Sequence, residues 1–187
     1  MYLLHATNNF SSLKSILKDG CIKSYSKLIK EGKRPEGQGS GIYKENPFIY
    51  FSCSDTLFDK KTINYSATLY FNSKLLYHRQ FYVSTIHSCD PDMLFEGETN
   101  YKRKYNKEYR NYNSVLKKLH KQSIAQTESG IGFQIFNQIA IHNKVNLDEL
   151  VGIEFKIDPP KSLLTYINKY YPDVKIIVNP YVRKINQ

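Results

Sequence analysis

The stretch Leu3–Gly20 (Leu-Leu-His-Ala-Thr-Asn-Asn-Phe-Ser-Ser-Leu-Lys-Ser-Ile-Leu-Lys-Asp-Gly) leaves the chain little choice of local structure. Tyr2–Leu4 is short, apolar and aromatic, which suits a buried strand. Asn8 or Asn9 can supply a side-chain oxygen to the free N–H groups of a helix start. Phe10, Leu13, Ile16 and Leu17 then recur on one helical face, and Gly20 stands where a helix ends in the left-handed conformation. His5, Ala6 and Thr7 are therefore expected at a strand-to-helix corner, where a rigid strand fixes polar groups and a turn exposes them.

Further along, strand patterns dominate. Cys21–Ile29 suits an extended piece and a short helical turn. Glu31–Asn46 holds Gly32, Gly37, Gly39, Gly41 and Pro35 and reads as a loop. No Gly-Lys-Ser/Thr follows it, so it is not a Walker-type phosphate loop. Pro47–Ser54 (Pro-Phe-Ile-Tyr-Phe-Ser-Cys-Ser) is a central-strand pattern ending in small polar residues, with Ile49, Phe51 and Cys53 on one face and Phe48, Tyr50, Ser52 and Ser54 on the other. Ala67–Phe71 and Gln80–Ile86 are further strands, with Asn72, Ser73 and Lys74 as a hairpin turn after the first of them. Gly130–His142 and Val151–Ile157 read as strands joined by a connector at Asn146–Leu150. Pro159–Tyr171 reads as a helix with early prolines and with Leu163, Leu164, Ile167 and Tyr171 inward. Val174–Val178 is a last strand. Only Val151–Val178 alternates β-α-β, so the expected class is α+β, with mixed and mainly antiparallel sheets in a single domain over residues 1–187.

Tyr101–Lys121 inverts the local charge, with eight Lys or Arg against the single acid Glu108. Tyr101, Tyr105, Tyr109 and Tyr112 recur there at helical spacing. As a helix this segment would set tyrosines beside cations, which suits stacked bases and neutralised phosphates, with Lys104, Tyr105, Lys107 and Tyr109 as the contacts. The plain alternative is a stripe packed on the sheet with solvated lysines. The formal charge of +10 points the same way, towards a polyanionic partner or a phosphate-bearing ligand.

Other chemistries find little support. There is no Gly-x-Ser-x-Gly elbow. His87-Ser-Cys89-Asp90 matches no common zinc spacing, and no metal is expected. Cys21, Cys53 and Cys89 are odd in number and widely spaced, which suits a reducing compartment. No apolar run is long enough for a membrane span, and Met1 opens onto a strand without the cationic lead of a secretory signal. An intracellular, cytoplasmic protein is expected.

The order of three elements resembles the ADP-ribosyltransferase fold, including DarT-like DNA-modifying enzymes and small phage-type transferases. Leu4-His5-Ala6-Thr7 with the helix to Gly20 is similar to that family's opening His-Gly-Thr motif. Ile49-Tyr50-Phe51-Ser52-Cys53-Ser54 is similar to its second motif. Asn137-Gln138-Ile139-Ala140-Ile141, followed by Val145-Asn146-Leu147 and Leu150-Val151-Gly152-Ile153, is similar to its third. The likeness covers most of the chain in order.

The resemblance implies NAD as co-substrate, with an ADP-ribose acceptor that is nucleic acid or protein. It implies that His5 bonds the adenine-side ribose, that the Ala6 main chain holds the nicotinamide amide, that Tyr50 stacks on the nicotinamide, and that Thr7 and Ser52 are supporting hydroxyls. The family's catalytic Glu is matched by Gln138. An amide bonds a ribose hydroxyl but neither carries a full charge nor accepts a proton. Three readings stay open: a weakened or altered enzyme, a natural binder of NAD-like ligands, and an engineered Glu-to-Gln form. Glu128, in Gln-Thr-Glu-Ser-Gly, is the alternative source of a carboxylate. A different class, a non-enzymatic basic nucleic-acid-binding module, rests on the Tyr101–Lys121 segment alone. RNA 2′-phosphotransferases also consume NAD, but the Arg/His set they need is not found here.

Overall fold

The computed structural model describes residues 1–33, 47–58, 65–76, 81–84, 102–105 and 138–178. In chain order the elements are β1 (Tyr2–Thr7), α1 (Phe10–Asp19), β2 (Cys21–Lys23), α2 (Tyr25–Lys30), β3 (Phe48–Ser54), β4 (Ala67–Asn72), a 3₁₀ turn (Ser73–Leu76), β5 (Phe81–Ser84), β6 (Lys102–Tyr105), β7 (Gln138–His142), β8 (Lys144–Asn146), β9 (Leu150–Phe155), α3 (Lys161–Tyr170) and β10 (Lys175–Val178). An eight-stranded sheet runs β10-β9-β4-β1-β3-β7-β5-β6, and β2 pairs with β8 in a two-stranded sheet. Among these ladders only β9–β10 is parallel, so the α+β, mainly antiparallel class expected from the sequence is what the fold has.

Local chemistry accounts for the helix ends. Asn9 is the N-cap of α1, its side-chain oxygen accepting from the Ser12 N–H at 2.7 Å. Gly20 ends the helix at φ 63°, and its N–H serves the carbonyls of Ile16 and Leu17. Ser24 caps α2 by accepting from the Lys27 N–H. α3 begins after Pro160, whose missing N–H would have had no helical partner.

One face of the large sheet carries the core. Leu3, Ile49, Phe51, Leu69, Phe71, Ile139, Ile141, Ile153 and Phe155 are buried there with Leu13 and Leu17 of α1 and Leu163 and Ile167 of α3. Phe10 meets Phe155 edge-on at 6.0 Å between centroids. The Tyr171 hydroxyl, just past α3, donates to the Leu17 carbonyl and ties the two helices together.

Several elements depart from the sequence reading. β1 does not stop at Leu4. It continues through His5, Ala6 and Thr7 because all three pair with β4 (His5 with Leu69, Ala6 with Thr68, Thr7 with Ala67), so the corner falls at Asn8 and Asn9 instead. Asn72–Lys74 is no hairpin turn. Ser73–Leu76 forms a 3₁₀ turn, and β4 and β5 are separated in the sheet by β1, β3 and β7. Lys144–Asn146, of which only Asn146 falls in the expected connector, is a strand that pairs with Cys21–Lys23. Lys102–Tyr105, read as helix, is an extended strand on β5, the outer one among the described residues, where ladder bonds override a helical spacing of tyrosines. The rest of the Tyr101–Lys121 segment, the loop from 34 to 46 and residues 130–137 lie outside the described residues.

Candidate active site at a split in the sheet

The β1–β3 ladder is short. Tyr2, Leu3 and Leu4 pair with Ser54, Cys53 and Ser52, and pairing then ends. Beyond that point β1 follows β4 as far as Thr7, while β3 follows β7 back to Phe48. The sheet therefore divides into two halves, β10-β9-β4-β1 and β3-β7-β5-β6, that part at the level of His5 and Phe51. Such a parting exposes main-chain groups on two facing edges, which are ready-made hydrogen-bond partners for a ligand.

His5 stands where the strands separate. Its Nδ1 lies 3.0 Å from the Tyr50 carbonyl oxygen. With Nδ1–H as donor, Nε2 keeps its lone pair and can accept from a hydroxyl. Burial holds the His5 pKa below its ordinary value of 6.5, only partly offset by the bond to Tyr50, so the ring is neutral at pH 7. Its ring also lies tilted against Phe51, with centroids 5.5 Å apart.

Ala6 presents its peptide group to the gap. The carbonyls of Met1 and Thr7 accept from Ser73 and Ser66, on the β4 side of β1. In an antiparallel strand these directions alternate, so the N–H and C=O of Ala6 face β3, where the ladder has already ended. Thr7 is different. Its hydroxyl donates to the Ala67 carbonyl at 3.2 Å and the residue is only 4% exposed, so it joins β1 to β4 and is not presented to the gap.

On the opposite edge, Tyr50 is partly exposed, its ring 6.5 Å from that of Phe48. Ser52 is also partly exposed and pairs with Leu4 at the last rung before the split. Gln138 opens β7 and pairs with Ser84. The β3–β7 ladder ends at Phe51–Ile139, and one further step in the same register would set Gln138 opposite Ser52. The backbone thus brings His5, Ala6, Tyr50, Ser52 and Gln138 to one end of the split. Lys104 and Tyr105 lie on β6, two strands beyond β7. Glu128, Lys107 and Tyr109 lie outside the described residues.

Cys53 offers no nucleophile, since burial pushes its thiol up to about 12. Among the described residues no group of three His, Cys, Asp or Glu could hold a metal ion, and no helix is long and apolar enough to cross a membrane. His87, Cys89 and Asp90 are outside the described residues.

A polar group beside the site was missed in the sequence. Glu154, 2% exposed, accepts from the Tyr70 hydroxyl at 2.7 Å and from Lys156 Nζ at 2.6 Å. It is separated from Ala6 along one cross-strand row by Thr68 alone, whose buried hydroxyl has no hydrogen-bond partner among the described residues. The signal is alternation, with Glu154 on one face of β9, Ile153 and Phe155 on the other, and Lys156 just past the end of the strand.

No protein-family model matches this chain, and no curated protein matches it by sequence. Solved structures do. Thermus sp. 2.9 DarT in complex with carba-NAD+ superposes with a TM-score of 0.59 at 12% identity, covering 97% of this chain and 96% of that one. The same protein in complex with ADP-ribosylated ssDNA gives 0.57 at 10%, covering 97% and 95%. Thermosipho africanus DarTG in complex with ADP-ribose gives 0.57 at 13%, covering 97% of this chain and 50% of that one. The chain has the ADP-ribosyltransferase fold. It spans half the length of the DarTG chain and nearly all of the DarT chain.

Proposed function

We propose that this chain binds NAD in the split between β1 and β3 and transfers ADP-ribose to a macromolecular acceptor, nucleic acid or protein. The observation that carries this reading is the end of the β1–β3 ladder at Leu4–Ser52, with the peptide group of Ala6 left facing the gap and His5 reaching across it. A primary carboxamide is both donor and acceptor, the complement of one N–H and one C=O on the same residue. The neutral His5 ring, with Nδ1–H committed to Tyr50, offers Nε2 to a ribose hydroxyl, and Tyr50 offers a ring face to the nicotinamide. The binding of carba-NAD+ and ADP-ribose by solved proteins of this fold agrees with that ligand.

The reaction breaks the bond between the ribose C1′ and the nicotinamide nitrogen. Nicotinamide leaves with the electron pair, positive charge builds on the sugar, and an acceptor heteroatom bonds C1′ and gives up its proton. At the end of β7, Gln138 would hold a ribose hydroxyl without adding negative charge and cannot take that proton. The proposed activity is accordingly that of a weakened transferase, with NAD binding better preserved than turnover.

Thermal unfolding with and without millimolar NAD tests this reading. NAD raises the melting temperature of the wild type, and His5→Ala or Tyr50→Ala removes the shift. Absence of any shift in the wild type overturns the proposal.

A further inference from the structure

Gly152 on β9 lies under a side chain held there by an unusual backbone. Phe58 has φ at 64°, in the left-handed region that residues with a side chain rarely enter. Two carbons of its ring stand 3.0 Å from the position a Cβ would take on Gly152, and Leu57 Cδ1 stands 3.2 Å from it. The ring also meets Tyr70 edge-on. Gly152 pairs with Tyr70 and Glu154 pairs with Thr68, so these four positions share one face of β4 and β9. Next to the Phe58 slot, on that face, is a polar cluster almost wholly out of water, with Thr68 1%, Glu154 2% and Lys156 7% exposed. The Glu154 carboxylate accepts from the Tyr70 hydroxyl and from one N–H of Lys156. Glu154 is the only partner of that ammonium among the described residues, and the Thr68 hydroxyl has none among them.

We propose that Phe58 is a displaceable plug, and that the slot over Gly152 binds a small neutral aromatic molecule carrying one hydrogen-bonding substituent, of the phenol class. The closed arrangement carries two costs, a left-handed phenylalanine and a buried hydroxyl without a partner. One occupant relieves both. A ring that takes the place of Phe58 lets its backbone return to an ordinary conformation, and a polar substituent on that ring satisfies Thr68. Shape selects the ring, because the slot is floored by a glycine, walled by Tyr70 and Leu57, and sized by the phenyl group it holds. Charge selects a neutral molecule, because Glu154 and Lys156 balance one another and leave no net charge to attract an ion. Thr68 selects the substituent, since a hydroxyl both donates and accepts. The pocket lies on the β4–β9 side of β1, away from the split, and stands without the transferase reading. Its Thr68 rung ends at Ala6, one strand away.

The test is calorimetric titration of the full chain with p-cresol and with toluene, which share a shape and differ by one hydroxyl. Phe58→Gly removes the ring and the strain together, so p-cresol should bind that variant at least about tenfold more tightly than the wild type, whose own ring competes for the slot. Adding Thr68→Val to Phe58→Gly should weaken p-cresol about tenfold and change toluene less than about twofold, as expected for one lost hydrogen bond. Thr68→Val alone should raise the melting temperature of the unliganded chain, because a buried hydroxyl without a partner is removed. No gain in Phe58→Gly, equal losses for the two compounds, or a lowered melting temperature in Thr68→Val each overturn the proposal. If Phe58→Gly does not fold, Phe58→Ala serves in its place. His5→Ala is measured in the same background, and loss of p-cresol binding there would put the ring in the split and overturn the pocket. Absence of an NAD-induced melting shift in the wild type refutes the transferase reading and leaves these outcomes to decide the pocket.

Discussion

The ring nitrogen Nδ1 of His5 lies 3.0 Å from the carbonyl oxygen of Tyr50, one residue beyond the last rung that joins β1 to β3. A side chain here replaces a ladder bond, so the two lips of the split are held together by a group that titrates. His5 has a folded pKa below 6.5 because burial disfavours the imidazolium. Above 6.5 the ring is neutral in both states and its contribution is complete. As pH falls below 6.5 the unfolded chain takes up a proton first, and stability is lost until the folded pKa is passed. The melting temperature of the wild type should therefore fall more steeply between about pH 7 and about pH 5 than that of His5→Phe. The other four histidines are common to both proteins and cancel in the comparison. Parallel curves for the two would show that the His5 ring is not neutralised by its surroundings.

The pair of Glu154 and Lys156 is buried on both sides, with Tyr70 supplying a further bond to the carboxylate. Removing one partner leaves the other charged and poorly solvated. Glu154→Gln or Lys156→Met should each cost about 3–5 kcal/mol in chemical denaturation. The double replacement should cost clearly less than the sum, because neither charge is then stranded. Additive losses would mean that the two charges do not depend on one another.

Gly152 lies under the ring of Phe58, two of whose carbons would sit 3.0 Å from an added Cβ. Phe58 holds φ at 64°, a conformation side chains rarely adopt, and its ring meets Tyr70 edge-on at 5.3 Å. The strained residue is kept in place by the slot it fills. Gly152→Ala should cost about 1–3 kcal/mol of stability through overpacking, and less than that in a Phe58→Gly background, where both ring and strain are gone. An equal cost in the two backgrounds would place the effect elsewhere.

Sequence patterns exposed the elements whose cause is local and missed those whose cause is pairing. The α1 cap at Asn9, its stop at Gly20 and its buried face at Leu13 and Leu17 all follow from neighbours in the chain. The alternation of Phe48–Ser54 and the β-α-β order of Leu150–Val178 were legible for the same reason. His5 to Thr7 are expected at a corner, yet the chain stays extended there because β4, far along the chain, supplies ladder partners at Leu69, Thr68 and Ala67. Lys102–Tyr105 is the converse, a helical spacing of tyrosines that β5 converts to a strand. Of the candidate site, His5, Ala6, Tyr50 and Ser52 were named from motif order, but the split that gives them meaning depends on where two ladders end. Thr7 was named with them, and its hydroxyl serves β4 instead.

Gln138 and Ser52 would oppose one another one step beyond the last β3–β7 rung, and Gln138 is the residue that the sequence resemblance matches to the family's Glu. The consequence is kinetic more than thermodynamic. A neutral amide and a carboxylate both bond a ribose hydroxyl, but only the carboxylate gains as positive charge builds on the sugar. A hydrogen bond to a charged group exceeds a neutral one by about 1.4 kcal/mol, roughly tenfold in rate. Gln138→Glu should therefore raise nicotinamide release from NAD about tenfold or more while changing the NAD-induced melting shift little. Release is read by separating nicotinamide from NAD in timed samples, alongside Gln138→Ala as the variant lacking any polar group. If Gln138→Glu releases no more than the wild type while both still bind NAD, the carboxylate of this reaction comes from another residue, and Glu128→Gln is the next variant to assay.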